Sequence, residues 1–544
     1  MALFRYISRG PRPPVRKLAL FAAVAGLSNA GILAILNTAA EHASEGAESN
    51  FWYLSLFAIT LIAFTYTQRH LFLISTNAAD TIVQAYRQRL AGLIRRCDLR
   101  GIDGLGRARL YAAVTRQPQV VVQVAGQLVM AGQSAVLLVF TIGYLATLSA
   151  WAVYLTFAVI GMAVLIYRRK QADTMVAQAQ AEKAENELFE QLTDLIDGFK
   201  EVRLHAPRSH DLGAALDGVS DTVKFQRGIA NHHFAQLIVV AQGTFYLLAG
   251  AIVFLLPAFG EDYSGELLKT VTVSLFLIGP ISAIVGSAAA VAMVTAAAND
   301  MVELEDGLAE IAGDEPSGLV RSDFGEIRLE NVTFDHTDAA GQPSFRLGPV
   351  DLTLKKGETL FISGGNGSGK STLLRILTAL YAPTSGSLTL DGRAVLAGNA
   401  EAYQSLYSTV FADFHLFRRL YGLAAIDPGR VDRMLEDVGL DQKVRFDDGS
   451  FDTLQLSTGQ RKRLALVVAM LEDRPICVFD ELAADQDPQF RRRFYEEFLP
   501  RLKAEGRTLV VVTHDDRYFG HGDRRVVMEE GRISKAVTDE DTDG

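Results

Sequence analysis

Six apolar stretches in the first 300 residues constrain this chain more than any other feature. They run roughly over 18–38, 51–66, 119–147, 149–167, 233–257 and 270–297. A helix needs about 20 mostly apolar residues to cross a bilayer core. These stretches are apolar all round, whereas a helix at the surface of a soluble bundle keeps a polar face for water. The set predicts six transmembrane helices. The second stretch is short as an apolar run, and its helix is expected to continue through Gln68. The first follows a basic flank, as a secretory signal does, but it is too long for a signal core and another span follows.

Charge sets the expected orientation. The loop after the second span carries arginines from Arg87 to Arg116, and the loop after the fourth is similarly basic from Arg168 to Arg227. By contrast, 41–50 has no Lys or Arg, and the loop near Glu261 and Asp262 has only Lys269. The positive-inside rule then puts both termini and both long loops in the cytoplasm. Loops of that length are expected to be helical continuations of the spans, and the connections on the other side are too short for an external domain. No Asp, Glu, Lys or Arg sits at the centre of a span. An ion-coupled carrier usually keeps an ionisable relay there, so the energy is expected from elsewhere. The amides in the spans, such as Asn29, Asn37, Gln127, Gln133, Gln236 and Gln242, either bond neighbouring helices or line a path. Pro280 removes a backbone donor and is expected to kink the sixth helix.

The whole chain has 63 acidic against 53 basic residues, a net charge of −10, which argues against a nucleic-acid partner. Its two cysteines, Cys97 and Cys477, have no metal-ligand company and lie where a disulfide is not expected. The expected division is a transmembrane domain over 1–300, a linker over 301–323 broken at Pro316, Ser317 and Gly318, and a soluble domain over 324–544.

The soluble part holds "GGNGSGKST", Gly364 to Thr372. An apolar strand precedes it and a helix follows, the setting that a G-x-x-x-x-G-K-[ST] phosphate loop requires. Gly364, Gly365, Asn366, Gly367, Ser368, Gly369, Lys370, Ser371 and Thr372 are therefore candidate ATP-binding residues. Backbone N–H groups close on the phosphates, Lys370 supplies a point charge, and Ser371 supplies a hydroxyl for Mg²⁺. A second apolar strand ends in Asp480 and Glu481. Asp480 suits a Mg²⁺ partner and Glu481 a general base for the attacking water. A third, "TLVVVTH", carries His514 at its end, at the edge where open α/β sheets bind ligands. The fold class expected is an all-α six-helix transmembrane domain followed by an α/β P-loop nucleotide-binding domain.

A second helix start with phosphate-binding chemistry, "LSTGQRKRLAL", lies about ninety residues further on. With "GGNGSGKS", "LSTGQ", "FDE", the Asp487 turn and "TH" in that order, the chain resembles the ATP-binding-cassette family, in the half-transporter layout of exporters. The resemblance implies that Ser457, Thr458, Gly459 and Gln460 cap the ATP held by a second copy, that Asp487 belongs to the D-loop, and that Glu481 with His514 hydrolyses ATP. Arg461, Lys462 and Arg463 behind them are expected to form a solvated helix face. Helices near 101–109 and 204–212 in the cytoplasmic loops are expected to transmit nucleotide-driven closure to the spans. "DGFKEVRLH", "VFADFHLF" and "DELAADQDPQFRRRFYEEFLP" are similar to the cyclic-peptide and siderophore-peptide exporters.

That resemblance implies a homodimer in the bacterial inner membrane that exports a cyclic, lasso or siderophore-type peptide. No cysteine-protease segment precedes the first span, so the cargo is expected already processed or needing no processing. Export of other amphiphilic molecules, an ATP-gated channel or sensor, and pairing with a different half-transporter stay open. So does the direction of transport.

Three positions depart from the family pattern. His336 stands where an adenine-stacking tyrosine is usual. Ala412 stands where the Q-loop has glutamine, leaving Asp413 beside it as a candidate on the metal side. Thr458 replaces a commoner glycine, a mild change if its backbone is ordinary.

Overall fold

A computed structural model of the chain describes residues 5–6, 8–44, 51–259, 267–313, 323–337, 343–423 and 426–538. The short connection at 45–50, the loop containing Glu261 and Asp262, and the linker break at Pro316, Ser317 and Gly318 lie outside the described residues. Two compact units emerge: Met1–Leu90 with Tyr111–Leu304, and Ala91–Leu110 with Glu305–Gly544.

The first unit is built from long helices. In chain order the helices up to Ile311 are α1 (Val15–Ser44), α2 (Phe51–Ile94), α3 (Leu99–Leu105), α4 (Arg107–Leu148), α5 (Ala150–Asp197), α6 (Phe199–Leu204), α7 (Ala206–Gly250), α8 (Leu267–Phe276) and α9 (Ile278–Ile311), of which α3 and the end of α9 belong to the second unit. Six helical segments among the described residues are long and apolar enough to cross a membrane, and they cover the six expected stretches except for residue 149 and residues 256–257. Helices α4, α5 and α7 have 42, 48 and 45 residues. At about 1.5 Å per residue each is roughly twice as long as a bilayer core is thick, which is why the basic loops are helical.

Leu33, Leu145, Ala152, Val159, Leu248, Ile252 and Leu277 form the apolar core of this unit. Its outer faces keep Trp52, Ile62, Val139 and Phe254 exposed, the pattern of helices that meet lipid or another apolar surface and not water. The kink expected from Pro280 takes the form of a break between α8 and α9, at Leu277. Pro280 has no N–H to return to the carbonyl four residues back.

The short helix expected near 204–212 lies earlier, as α6. The chain turns at Gly198, and His205 caps the next long helix by accepting from the Arg208 N–H through Nδ1, at 3.2 Å. Pro207 sits in the first turn of that helix, where its missing N–H costs nothing.

The second unit carries two main sheets. β1 (Glu326–Thr337), β2 (Pro343–Lys355), β4 (Ser385–Leu390) and β5 (Arg393–Ala394) form an antiparallel sheet in the order β2-β1-β4-β5. The larger sheet contains β3 (Thr359–Gly364), β6 (Tyr407–Val410), β9 (Ile476–Asp480), β10 (Thr508–Val512), β11 (Arg524–Glu529) and β12 (Arg532–Thr538), in the order β12-β11-β3-β10-β9-β6. β7 (Phe446–Asp447) and β8 (Ser450–Phe451) make a separate hairpin. From β11 to β6 the larger sheet is parallel, with β12 antiparallel at its edge. β9 and β10 are buried along their whole length, as parallel strands covered on both faces must be. Because β10 lies between β3 and β9, the C-terminal ends of these strands share one edge, and the candidate groups are gathered there.

Candidate ATP site

The phosphate loop connects β3 to helix α10 (Lys370–Leu377). Gly364 has φ +148°, and a Cβ there would overlap the Met528 carbonyl, so only glycine fits. The Lys370 ammonium donates to the carbonyls of Gly364 and Gly365, at 2.8 and 3.0 Å, and so folds back over the loop. The buried Ser368 hydroxyl has no hydrogen-bond partner among the described residues. A loop of glycines around an unpartnered hydroxyl and a lysine fits a phosphate chain.

At the end of β9, Asp480 is 3 % exposed. Burial pushes its carboxyl above the usual carboxylate range; the Ala412 N–H opposes that shift, the Glu481 charge adds to it, and Ser371 and Lys370 oppose it. The Ser371 hydroxyl lies 3.4 Å from the Asp480 carboxylate, and this pair of hard oxygens suits Mg²⁺.

Glu481 has φ +52°, in the left-handed region that non-glycine residues seldom occupy. Its N–H donates to the Val512 carbonyl at 3.0 Å, and its own carbonyl accepts from the Lys462 ammonium at 2.8 Å. Both backbone groups are therefore tied, and such over-determination sustains local strain. The carboxylate meets His514 Nε2 at 3.1 Å. A carboxylate and an imidazole in hydrogen-bond contact, a third to a half exposed, can orient and deprotonate a water.

His336 lies in β1 with Nε2 3.1 Å from the Thr372 hydroxyl. Phe334 and Tyr381 meet it edge-on. Burial lowers its pKa, and the charges of Arg375 and Arg100 add to that effect, keeping the ring neutral.

The second helix start opens α11 (Thr458–Leu471). Ser457 and Gln460 form a capping box, in which the Ser457 oxygen accepts from the Gln460 N–H at 3.4 Å and the Gln460 amide oxygen accepts from the Ser457 N–H at 3.2 Å. The serine hydroxyl hydrogen remains available to an acceptor. Thr458 has an ordinary backbone. At Gly459 a Cβ would sit 2.9 Å from the Asp485 carbonyl, so the loop after Glu481 packs directly on this helix start. Asp487 caps helix α12 (Pro488–Arg493) by accepting from the Phe490 N–H.

The expected solvated face holds for Arg461, which is exposed, and is corrected for Lys462 and Arg463. Lys462 is 5 % exposed and pairs with Asp485 at 2.7 Å as well as holding Glu481. Arg463 binds Gln486 and Asp487 and lies over the Phe490 ring. The helical period gave the signal that a run of like charges obscured: Lys462, Ala465, Leu466 and Ala469 share one buried face. Asp413, the candidate on the metal side, is paired with Arg375 at 3.1 Å.

Such a nucleotide site, joined in one chain to six membrane-length helices, makes this a membrane-bound P-loop ATPase. Residues 347–484 match the family model described as ABC transporter. Over 529 residues the chain is 32 % identical to the ATP-binding protein SyrD of Pseudomonas syringae pv. syringae, covering 94 % of this chain and 92 % of that one. It is 27 % identical to an ATP-dependent lipid A-core flippase of Burkholderia orbicola (strain AU 1054), over 94 % and 88 % of the two chains. A solved structure of a bacterial Atm1-family ABC exporter with ATP bound superposes with a TM-score of 0.79 at 16 % identity, over 97 % of this chain and 95 % of that one. The chain belongs to the ABC transporter family, as a multi-pass membrane half-transporter that binds ATP and couples its hydrolysis to transport.

Proposed function

We propose that two copies of this chain form an exporter in the bacterial inner membrane, with both termini cytoplasmic, whose cargo is a cyclic, lasso or siderophore-type peptide. Each copy contributes one phosphate loop and one Ser457 helix start, and the second copy completes the ATP site. In each site Lys370 neutralises the terminal phosphates, Ser371 and Asp480 hold Mg²⁺, and Glu481 with His514 activates water. His336 lies against the adenine. Mg²⁺ supplies charge neutralisation on the phosphates.

The observation that carries turnover over simple gating is the Glu481–His514 contact at 3.1 Å, with Glu481 fixed in its left-handed backbone by Lys462. A site used only to sense ATP has no need of a positioned base. For the cargo, the support is the 32 % identity with SyrD over nearly the whole chain together with a cavity in the membrane unit. That cavity, about 160 Å³, is lined by α4, α5, α7 and α9, and a second of about 240 Å³ shares Tyr167, Leu237, Ala241, Ser282 and Val285 with it. Both are mostly apolar with a few hydroxyls, and the second adds the amides of Gln171 and Gln242, which suits aliphatic side chains carried by a largely uncharged molecule.

The test is ATP-driven uptake of a panel of cyclic and lasso peptides into inside-out vesicles. Uptake that needs ATP and is absent in Glu481→Gln is the expected result. ATP hydrolysis without uptake of any peptide contradicts the peptide assignment. A lipid-like amphiphile is the second reading, favoured by the relatives named as lipid A-core flippases, and uptake of a labelled amphiphile in the same vesicles would move the assignment there.

A further inference from the structure

The Glu481–His514 pair is held from behind by a helix that none of the phosphate-site motifs includes. The His514 ring is nearly half exposed, so its aim depends on how the backbone on either side is fixed. On one side Thr513 is 5 % exposed, and its N–H donates to the Ile362 carbonyl at 3.1 Å. On the other, Asp515 leads into a short 3₁₀ segment, Asp516–His521.

Tyr495 reaches both neighbours. It lies in a π-helical turn, Phe494–Phe498, that continues α12, and such turns are frequent at functional sites. Its hydroxyl is 2.6 Å from the Thr513 hydroxyl and donates to the Asp515 carboxylate at 3.4 Å. The Asp515 N–H donates to the Thr513 hydroxyl oxygen at 3.1 Å. One placement of protons satisfies all three bonds: Asp515 N–H to Thr513, Thr513 O–H to Tyr495, and Tyr495 O–H to Asp515. A closed circuit of hydrogen bonds thus brackets His514. The Tyr495 ring is buried and stacks on Tyr518, with centroids 4.2 Å apart and planes 12° from parallel. The Tyr518 N–H returns to the Asp515 carbonyl at 3.2 Å.

The other half of the pair is held from the same helix. Arg491, one turn before Tyr495, donates to the carbonyls of Ala484 and Gln486 at 3.3 and 3.5 Å, in the segment after Glu481. Its other terminal nitrogen lies 3.5 Å from the Asp515 carboxylate.

We propose that Tyr495 is a positioning residue for ATP hydrolysis, whose hydroxyl fixes the segment from Thr513 to Asp515 so that His514 Nε2 meets Glu481. A buried phenol suits the task, since packing fixes its ring while its hydroxyl needs a polar partner. The inference rests on the reading that Glu481 with His514 activates water, and it is independent of the cargo.

The experiment measures kcat and KM for ATP with the full-length protein in lipid nanodiscs, and single-turnover rates for the slowest variants. The variants are Tyr495→Phe, Thr513→Val, His514→Ala, and Tyr495→Phe combined with His514→Ala. Tyr495→Phe keeps the ring and its stack and removes only the hydroxyl. Thr513→Val keeps the shape and opens the same circuit from the other side, so two independent cuts read one effect.

Tyr495→Phe and Thr513→Val are each expected to lower kcat by about 3–10-fold, the scale of one hydrogen bond, with KM for ATP within about twofold of the parent. His514→Ala is expected to be at least about tenfold slower than the parent. In that background Tyr495→Phe is expected to add less than about a twofold loss, because the group it positions is gone. A hydroxyl that served stability alone would slow both backgrounds equally, and that result overturns the proposal. Parent kcat in both single cuts, or losses that fall on KM alone, overturn it too. Slow His514→Ala with unaffected Tyr495→Phe and Thr513→Val would sink this inference and leave the hydrolytic pair standing. Parent turnover in His514→Ala would remove the pair and this inference with it.

Discussion

The ATP unit and the membrane unit hold their functional groups in place by opposite means. In the ATP unit single atoms are tied: the Glu481 N–H to Val512, its carbonyl to Lys462, its carboxylate to His514. In the membrane unit, α5 and α7 pack against each other largely through apolar side chains, and the polar ties between them among the described residues include Lys170 to Gln236 at 2.8 Å and Arg227 to Glu185. Chemistry on a phosphate needs charges placed to within a fraction of an ångström. Passage of an amphiphile needs a surface that accepts many poses. The first demand leaves a spelling in the sequence and the second leaves only a composition.

That contrast predicts large, local effects in one unit and small, cargo-dependent effects in the other. Lys370→Ala is expected to lower ATP hydrolysis by about 10²–10³-fold, because it removes a preorganised charge from the phosphates; a tenfold loss or less in a steady-state assay would erase the contrast at its strongest point. Lys462→Met releases the Glu481 carbonyl and leaves Asp485 without its partner. Here kcat is expected to fall about tenfold, the equivalent of losing one charged hydrogen bond of roughly 1.5 kcal/mol, while ATP binding followed by filter assay stays near the parent value. A change confined to binding would show that Lys462 supports the loop and not the glutamate.

In the membrane unit, Ala241→Trp fills space shared by both cavities. Transport is expected to fall about fivefold and basal ATP hydrolysis less than twofold, since no catalytic contact is touched; equal losses in both assays would mean that the cavity wall is part of the closure machinery. The smallest expected effect is chemical. Burial pushes the Cys477 thiol up to about 11, so the buried Cys477 should react with maleimide far more slowly than a free thiol at neutral pH. Rapid labelling of Cys477 in the native protein would place the β9 core in a looser state than its packing implies.

Much of the ATP site is legible in the sequence because each element carries residue types that few other settings require. Gly364 must be glycine for its backbone angle, Lys370 and Ser371 follow at fixed offsets, and Asp480 and Glu481 end an apolar strand. The spans are equally legible, since length and apolarity are the whole requirement. What escapes the sequence is placement that depends on the third dimension. The run Arg461–Lys462–Arg463 looks solvated until the helix turns Lys462 inward beneath Glu481. The tie from Arg375 to Asp413 joins positions from two separate segments, and no spacing rule connects them. The start of α6 depends on Gly198 and His205 acting as neighbouring breaks, which a search for apolar periodicity does not weigh.

The most direct test of the account is single-turnover ATP hydrolysis by the purified full-length protein and its Glu481→Gln variant, measured alongside ATP binding. The variant is expected to bind ATP as the parent does and to hydrolyse it at least ~100-fold more slowly, the scale for losing an acid–base group. Hydrolysis near the parent rate would contradict the assignment of the Glu481–His514 pair and, with it, the view that the precisely tied unit supplies the chemistry.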